Sequence, residues 1–559
     1  MSEKNTTPIQ NDRKTVRLPI LLSITLAGGI LLGSFFGGSR GMNDVARGYT
    51  KFKEVLQLID NNYVDSVNTD ELVDVSIQKM LEKLDPHSSY FNTKDAVAAR
   101  SQLEGGFDGI GVEFNLYKDT VYVVAPIVGG PSEAVGIQSG DKMVKVNDEI
   151  FTGKKIDNAF VFSKLRGARG SVVKIDILRR GNAKLLTFNL KRDRIPTFSV
   201  DAAYLLDKET GYIKVTRFAE NTYDEFKTAL GSLKAKGMKK LLLDLRGNPG
   251  GYMDRATNMA DELISGNKLL VYTDGKDDRY DRQTRARLSG MFEDGAVVVL
   301  LDEGSASASE IVAGALQDHD RALIVGRRSF GKGLVQMPVN LSDGSELRLT
   351  ISRYYTPSGR SIQKPYQKGE LEEYESDYKK RGESGEFFVA DSIKNNPKLQ
   401  FRTDGGRVVY GGGGITPDVF VARDTSLFTN YLYELSAKNI LREFALETVS
   451  KNRKQLEKMP FADFLKTYEV SDSDLKTIVA DANSAEVKWN EKEFNRSKPY
   501  IRLQVKAFMA RQIYQKKERD GLNNEFYQVM AATDNALQKA LRSFDQAEQL
   551  LRGNYSLKK

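Results

Sequence analysis

Three serines alternate with small residues in one stretch of the chain, and any of them could act as a nucleophile. Ser305, Ser307 and Ser309 stand between two predicted elements. These elements are an apolar strand at 296–301 and a helix at 309–317. A serine at such a turn can be exposed, with its neighbour's N–H at the positive end of the helix. Helix capping is the commoner use of such serines, so the pattern alone leaves both roles open.

A serine hydroxyl needs a base, and the sequence offers few. The chain has no Cys and two His, His87 after a predicted helical region and His319 in a polar turn. Lys332 is the remaining candidate, because it is flanked by glycines and followed by a strand-like run. A lysine with its usual pKa of about 10.4 must be desolvated to serve as a base near neutral pH. The alternatives are an exposed lysine in a turn or a phosphate contact, but no Walker pattern accompanies it.

A glycine-containing segment suggests a second site, for a carboxylate. Gly109, Ile110, Gly111 and Val112 open a region, 104–192, that is rich in short strands and glycine turns. Glycines allow successive backbone N–H groups to point one way and form an anion-binding nest. A plain β-turn is the default interpretation of so short a pattern.

The elements that must position these residues fall into distinct regions. Residues 45–103 predict amphipathic helices, which either pair with a partner chain or, as we favour, cover the core of this chain. Residues 193–363 alternate apolar strands and helices, which predicts an α/β core with functional loops at its strand ends. Residues 364–410 are polar and predict an insertion that lies mostly on the surface. Residues 424–559 predict helices with no catalytic constellation.

The N-terminus predicts a membrane anchor. Residues 18–36 form an uncharged stretch of 19 residues, about 28 Å as a helix and close to the roughly 30 Å hydrocarbon core. Arg13, Lys14 and Arg17 precede it, which predicts a cytoplasmic tail at 1–17 and the catalytic part in the periplasm of a bacterial inner membrane. A cleaved signal peptide is the alternative.

The amino-acid composition excludes several kinds of functional site and partner. Lys and Arg number 83 against 75 Asp and Glu, and a net charge of +8 over 559 residues does not indicate a nucleic-acid partner. The absence of Cys excludes a disulfide framework, a Cys nucleophile and a thiolate zinc site, and two His exclude a histidine-rich metal site.

Several motifs, in order, resemble those of the C-terminal processing peptidases, also called tail-specific proteases. The resemblance covers about 51–421 and rests on segments 84–88 (LDPHS), 131–147 with its PDZ-like pattern, 244–251 (DLRGNPGG), 305–310 (SASASE), 331–336 (GKGLVQ) and 355–363 (YTPSGRSIQ). Two departures stand out: the insertion at 364–410 and the long C-terminal helical region.

The resemblance implies a Ser/Lys mechanism without metal or cofactor. It implies Ser307 as nucleophile, Lys332 as base and Gln336 as the residue that orients the base. The oxyanion would be bound by the N–H of Ala308 and by that of Gly250 or Gly251. Gly109 to Val112 would bind the carboxylate of a peptide.

The resemblance also implies an α/β multidomain architecture and a class of substrate. The regions would be an anchor at 18–36, helices at 45–103, a PDZ domain at 104–192, a crotonase/ClpP-like α/β peptidase core at 193–423 and helices at 424–559. Substrates would be proteins or peptides with free, apolar C-termini, and the sequence leaves a homo-oligomer open. Two other functions compete: a catalytically silent PDZ scaffold of the cell envelope, and a structural envelope protein organised by the C-terminal helices.

Overall fold

The structure is a computed structural model of the chain. The chain divides into two compact units, Met1–Lys79 and Met80–Lys559. It describes residues 22–29, 40–101, 103–117, 119–127, 129–153, 156–179, 181–287, 289–515 and 521–554.

Two helices, Arg40–Asn62 and Thr69–Glu82, account for most of the N-terminal region. The second begins after Asn68, whose side chain accepts hydrogen bonds from the N–H groups of Asp70 and Glu71. Phe52 and Val55, on the first of these helices, are exposed.

The helices that the structure describes contradict the predicted location in the inner membrane. None of them is both long enough and apolar enough to cross a bilayer. Only 22–29 of the predicted anchor is described, and this helical segment is about 12 Å long against the roughly 30 Å that a span needs. The rest of 18–36, and the tail at 1–17, lie outside the described residues.

A β-rich region begins and ends with one short strand pair, Gly106–Gly109 with Asp193–Pro196. Between them lies a six-stranded antiparallel sheet and a helix, Asn158–Leu165. Alternate residues Val173, Ile175 and Ile177 are buried, as expected for a sheet that has one face on a core. The sheet strands are Val112–Tyr117, Thr120–Pro126, Lys142–Val146, Glu149–Ile150, Val172–Leu178 and Leu186–Lys191, and a short helix, Pro131–Ala134, follows the second.

The core of the larger unit is a mostly parallel six-stranded sheet. Its central strands are apolar throughout because helices cover both faces. In spatial order the strands are Val200–Leu205, Thr210–Val215, Lys240–Asp244, Ala296–Leu301, Ala322–Gly326 and Val419–Phe420; the first is antiparallel to the second.

Helices from two separate parts of the chain cover the two faces of this sheet. Thr222–Ala235, Met253–Asp261 and Ala308–Asp318 pack on one face. Asn535–Arg542 and Phe544–Leu551 pack on the other, against Leu242, Val298 and Leu323 among other residues. The far C-terminal helices are therefore part of the same core as the serine segment.

A second, five-stranded sheet lies beside the core and carries the segment around Lys332. Its longest strand, Glu346–Tyr355, pairs with three others. The remaining strands are Ser89–Phe91, Leu269–Gly275, Arg282–Arg285 and Leu334–Asn340, with the helix Thr93–Ser101 after the first and the turn Asp278–Tyr280 before the third.

The polar segment 364–410 is mostly exposed or half-buried, and a few of its side chains are buried. Its helix, Leu371–Glu383, buries Tyr374 and Arg381, and a hairpin of Gln400–Arg402 with Val408–Tyr410 follows. The short 3-10 turns Ala390–Ser392 and Pro397–Leu399 lie between them.

The C-terminal region is helical, as predicted. Its first helices enclose a core of their own, and Arg442 and Arg511 reach the β-rich region to pair with Glu113. The helices that precede Asn535–Arg542 are Asn430–Ala437, Ile440–Leu456, Phe461–Thr467, Asp472–Ser484, Glu491–Tyr514 and Asn524–Met530, with a 3-10 turn at Ala531–Thr533.

Candidate active site

Ser307 occupies the turn between the strand Ala296–Leu301 and the helix Ala308–Asp318. Its backbone has φ 55° and ψ −113°, a left-handed conformation that non-glycine residues adopt rarely and often at functional sites. Its two neighbours in the pattern are fully buried: Ser305 Oγ donates to Leu245 O at 2.9 Å, and Ser309 Oγ donates to Asn248 O at 3.0 Å. Ser307 is thus the one of the three that lines a cavity, of about 480 Å³.

Gly250 approaches this turn closely. A Cβ atom on Gly250, whose φ is 100°, would lie 2.7 Å from Ser307 Cβ and 2.8 Å from Ala306 O, so no larger residue fits. The N–H of Gly250 donates to Asn248 Oδ1 at 2.9 Å. The N–H groups of Gly251 and Ala308 donate to none of the residues that the structure describes. Of the two glycines offered by the sequence, Gly251 is therefore the one with a free donor.

Lys332 lines the same cavity, in a loop that we call the lysine loop, residues 327–333. Burial lowers the pKa of its ammonium, and the nearby Arg348 lowers the pKa further. The carboxylates of Asp85 and Glu310 oppose this shift. The loop thus provides the desolvation that a lysine base requires.

A buried carboxylate, Glu310, joins the serine turn to the lysine loop. It accepts hydrogen bonds from the N–H groups of Ser307 at 2.8 Å, Gly331 at 2.7 Å and Lys332 at 2.9 Å. It also accepts one from the Ser329 hydroxyl at 2.5 Å. Burial raises the pKa of Glu310 to about 7 in spite of these four donors. Sequence reasoning missed this residue, although a Glu three positions after a cap serine is a capping-box signal.

A second connection between the two segments is Tyr354, which is fully buried. Its hydroxyl lies between the carbonyl oxygens of Ser307, at 3.1 Å, and Lys332, and it can donate to either. The relative position of the serine and the lysine is thus fixed by two side chains from different elements.

Gln336 also lines the cavity, but its side chain hydrogen-bonds to Thr350 and not to Lys332. Its Nε2 donates to Thr350 Oγ1 at 3.2 Å, across the pair of strands that carry them. Thr350 Oγ1 in turn donates to Asp85 Oδ1 at 3.0 Å. The predicted contact between Gln336 and Lys332 is absent from the hydrogen bonds of the described residues.

The two histidines lie in different surroundings. His87 Nε2 is 2.8 Å from the Tyr374 hydroxyl, and burial together with the nearby Lys332 lowers the pKa of His87 to about 3. It is therefore neutral beside the lysine, a proximity that the sequence did not indicate. His319 ends the helix that Ser307 begins, about 18 Å away, and contacts Asp404 and Leu269 O.

The glycine segment borders a free strand edge. The N–H groups of Ile110 and Gly111 donate to none of the described residues, and Gly111 has a φ of 72°. The strand Val112–Tyr117 pairs on one side alone within the described part of the sheet. Near this strand, Phe162 of the helix Asn158–Leu165 contacts Phe114 edge to face and is 41% exposed. The four predicted residues, Gly109 to Val112, are thus together at the end of an unpaired edge.

No group of three or more His, Cys, Asp or Glu that could hold a metal ion occurs among the described residues.

Comparisons with known proteins agree on one family. The model of peptidase family S41 matches residues 209–370, the model of the N-terminal domain of the activating protease CtpB matches 37–95, and a family of unknown function matches 431–515. A carboxy-terminal-processing protease of Bartonella bacilliformis is 35% identical over 317 residues, which is 56% of this chain and 72% of that protein.

Further relatives carry the same description. The carboxy-terminal processing protease CtpB of Bacillus subtilis is 35% identical over 320 residues, 56% of this chain and 65% of that protein. A solved photosystem II D1 C-terminal processing protease is 26% identical, with a TM-score of 0.33 over 67% of this chain and 93% of the other. The chain therefore belongs to the C-terminal processing peptidases and is a serine-type peptidase.

Proposed function

We propose that this peptidase cleaves its substrates with Ser307 as nucleophile and Lys332 as general base. The observation that carries the proposal is that both residues line one cavity while Glu310 and Tyr354 hold their backbones together. The lowered pKa of Lys332 supports it, since a larger fraction of the amine is neutral and can accept a proton.

The proposed reaction is an acyl transfer through a covalent intermediate. The Lys332 amine accepts the hydroxyl proton of Ser307 as Ser307 Oγ attacks the scissile carbonyl carbon. The free N–H groups of Ala308 and Gly251 stabilise the oxyanion, each by about 3 kcal/mol. Lys332 gives the proton to the leaving amine, and water then attacks the acyl-enzyme with Lys332 again as base.

The proposed substrates are proteins or peptides with a free, apolar C-terminus. Residues 104–192 would form a PDZ domain in which the N–H groups of Ile110 and Gly111 bind the terminal carboxylate. The peptide would add as a strand to the free edge of Val112–Tyr117, next to Phe162. Residues 193–423, with the insertion 364–410, would form the peptidase core, and 424–559 the helical C-terminal region.

Substitution of the two residues tests the dyad. Ser307→Ala should abolish hydrolysis of an internally quenched peptide that ends in a free alanine. Lys332→Arg should abolish it too, because arginine keeps the charge but cannot become a neutral base. Ser305→Ala and Ser309→Ala are the matched controls and should remain active, with a stability loss of about 1 kcal/mol each for the hydrogen bond removed.

Near wild-type hydrolysis by Lys332→Arg would overturn the assignment of the base. Circular dichroism and thermal unfolding of each variant separate loss of chemistry from loss of fold.

A further inference from the structure

A chain of hydrogen bonds connects the segment Asp85–Ser88 to the active-site cavity. Asp85, which is buried, accepts from the N–H of His87 at 2.8 Å, the N–H of Ser88 at 2.9 Å and the Ser88 hydroxyl at 2.6 Å. It also accepts from the hydroxyl of Thr350, which in turn accepts from Gln336 Nε2. None of these residues, Gln336 included, takes part in the acyl transfer proposed above.

The chemistry of these groups allows one direction for the hydrogen bonds. An ionised carboxylate can accept but cannot donate, so the single hydroxyl proton of Thr350 must point at Asp85. Thr350 Oγ1 then has no proton left to donate, so it can only accept a hydrogen bond from Gln336. The amide of Gln336 must therefore present its donor, Nε2, to Thr350 Oγ1. This orientation leaves Gln336 Oε1 as an acceptor in the cavity that Gln336 shares with Lys332.

We propose that Asp85 and Thr350 are positioning residues that fix the direction of the Gln336 amide, so that its Oε1 can accept a hydrogen bond from the Lys332 amine. The proposal rests on the proposed Ser/Lys function and adds the cause of the orientation. Without the carboxylate, the Thr350 proton is free to point at Gln336. The Gln336 amide can then flip and present its Nε2 donor to Lys332. A donor cannot orient the Lys332 amine correctly, because the amine must keep its lone pair for the Ser307 proton.

The same carboxylate also acts on the charge of Lys332. Asp85 and Glu310 favour the ammonium, Arg348 disfavours it, and His87 is neutral. Arg100, Glu104 and Glu346 line the rest of the cavity. Removal of the Asp85 charge therefore lowers the pKa of Lys332, whereas removal of the Thr350 hydroxyl changes no charge.

Steady-state kinetics of the full chain across pH test the proposal, with the quenched peptide that ends in a free alanine. Thr350→Val should lower kcat about tenfold with KM unchanged, since one orienting hydrogen bond is lost, and Thr350→Ser should restore it. Asp85→Asn should lower the plateau of kcat and also move its acid limb to lower pH. Ser352→Ala, on the same strand as Thr350, is the control and should leave kcat unchanged.

A double-mutant cycle distinguishes a positioning role of Thr350 from a merely structural one. In a Gln336→Ala background, Thr350→Val should have no further effect, because the amide that it orients is gone. Asp343→Asn is the matched carboxylate control: Asp343 accepts from the N–H of Ser345 at 3.0 Å and from its hydroxyl at 2.6 Å on an exposed turn, much as Asp85 does with Ser88.

The outcomes separate this inference from the dyad. If Lys332→Arg is active, the proposed function itself fails. If Ser307→Ala and Lys332→Arg are inactive but Thr350→Val behaves like Ser352→Ala, or adds its full effect to Gln336→Ala, the inference alone is overturned. Asp85→Asn also alters the turn that Asp85 holds, so Thr350→Val and Thr350→Ser decide the question without it.

Discussion

The proposed base is Lys332, and whether a lysine can act as a base depends on its surroundings. An ordinary lysine is protonated at neutral pH, and a protonated lysine cannot accept the serine proton. Burial and the charge of Arg348 both disfavour its ammonium form, so the fraction of neutral amine at a given pH is larger than for an exposed lysine.

The pH profile should carry this signature. Activity should rise as pH increases through the lowered pKa of Lys332, because deprotonation creates the base, and it should be lost below that pKa. His87→Ala and His319→Ala should leave this acid limb in place; His87, with a pKa of about 3, stays neutral across the whole limb. We would measure kcat against pH for the three proteins, and disappearance of the limb in either variant would contradict a lysine base.

The sequence could identify reactive residue types but could not identify their partners. Ser307 and Lys332 were predicted from motif and register, and the structure brings them to one cavity. The link from Gln336 to Thr350 depends on the pairing of two strands, and the approach of His87 to Tyr374 joins residues far apart in the chain. Such contacts are set by tertiary packing and leave no local pattern.

At the scale of elements, the predicted core strands agree closely with the structure. The strand at 296–301 has the predicted bounds, and the helix predicted at 309–317 occupies Ala308–Asp318. Continuous apolar runs give a strong signal because these strands are buried on both faces. The buried ion pair of Arg381 with Glu386 in the segment 364–410 could not be predicted, because a buried ion pair has the same composition as an exposed surface.

Arg381 shows how this polar segment supports the lysine loop. It donates to the carbonyl oxygens of Ser329 at 3.0 Å and Arg328 at 2.7 Å and pairs with Glu386, and both ionic side chains are nearly inaccessible. Removal of Arg381 takes these donors from the two buried carbonyl oxygens and leaves the buried Glu386 paired with Arg328 alone.

Arg381→Ala should therefore lower the free energy of unfolding by about 2–4 kcal/mol. Urea denaturation of the full chain measures it. Lys380→Ala is the adjacent control: Lys380 pairs with Glu373 on the exposed face, and its loss should change stability by about 0.5 kcal/mol or less. Equal effects for the two variants would contradict a supporting role for the insertion.

For the whole molecule, the proposed separation of recognition and cleavage can be tested by changing the substrate. Amidation of a peptide's C-terminus removes the charge that the N–H groups of Ile110 and Gly111 would bind. Affinity for the Ser307→Ala variant, measured by fluorescence anisotropy, should fall about tenfold or more. An N-terminally acetylated peptide is the control and should bind as the unmodified one does. Equal affinity for the acid and the amide would refute carboxylate capture.

The closure of the central sheet by Asn535–Arg542 and Phe544–Leu551 has a consequence for biosynthesis. The face that carries Leu242, Val298 and Leu323 stays uncovered until these helices leave the ribosome, roughly ten seconds or more after Ser307 at ordinary rates of translation. A nascent chain that has emerged only as far as Ser307 therefore lacks part of its core, and we expect the proposed nucleophile to be inactive until Asn535–Arg542 and Phe544–Leu551 have been synthesised.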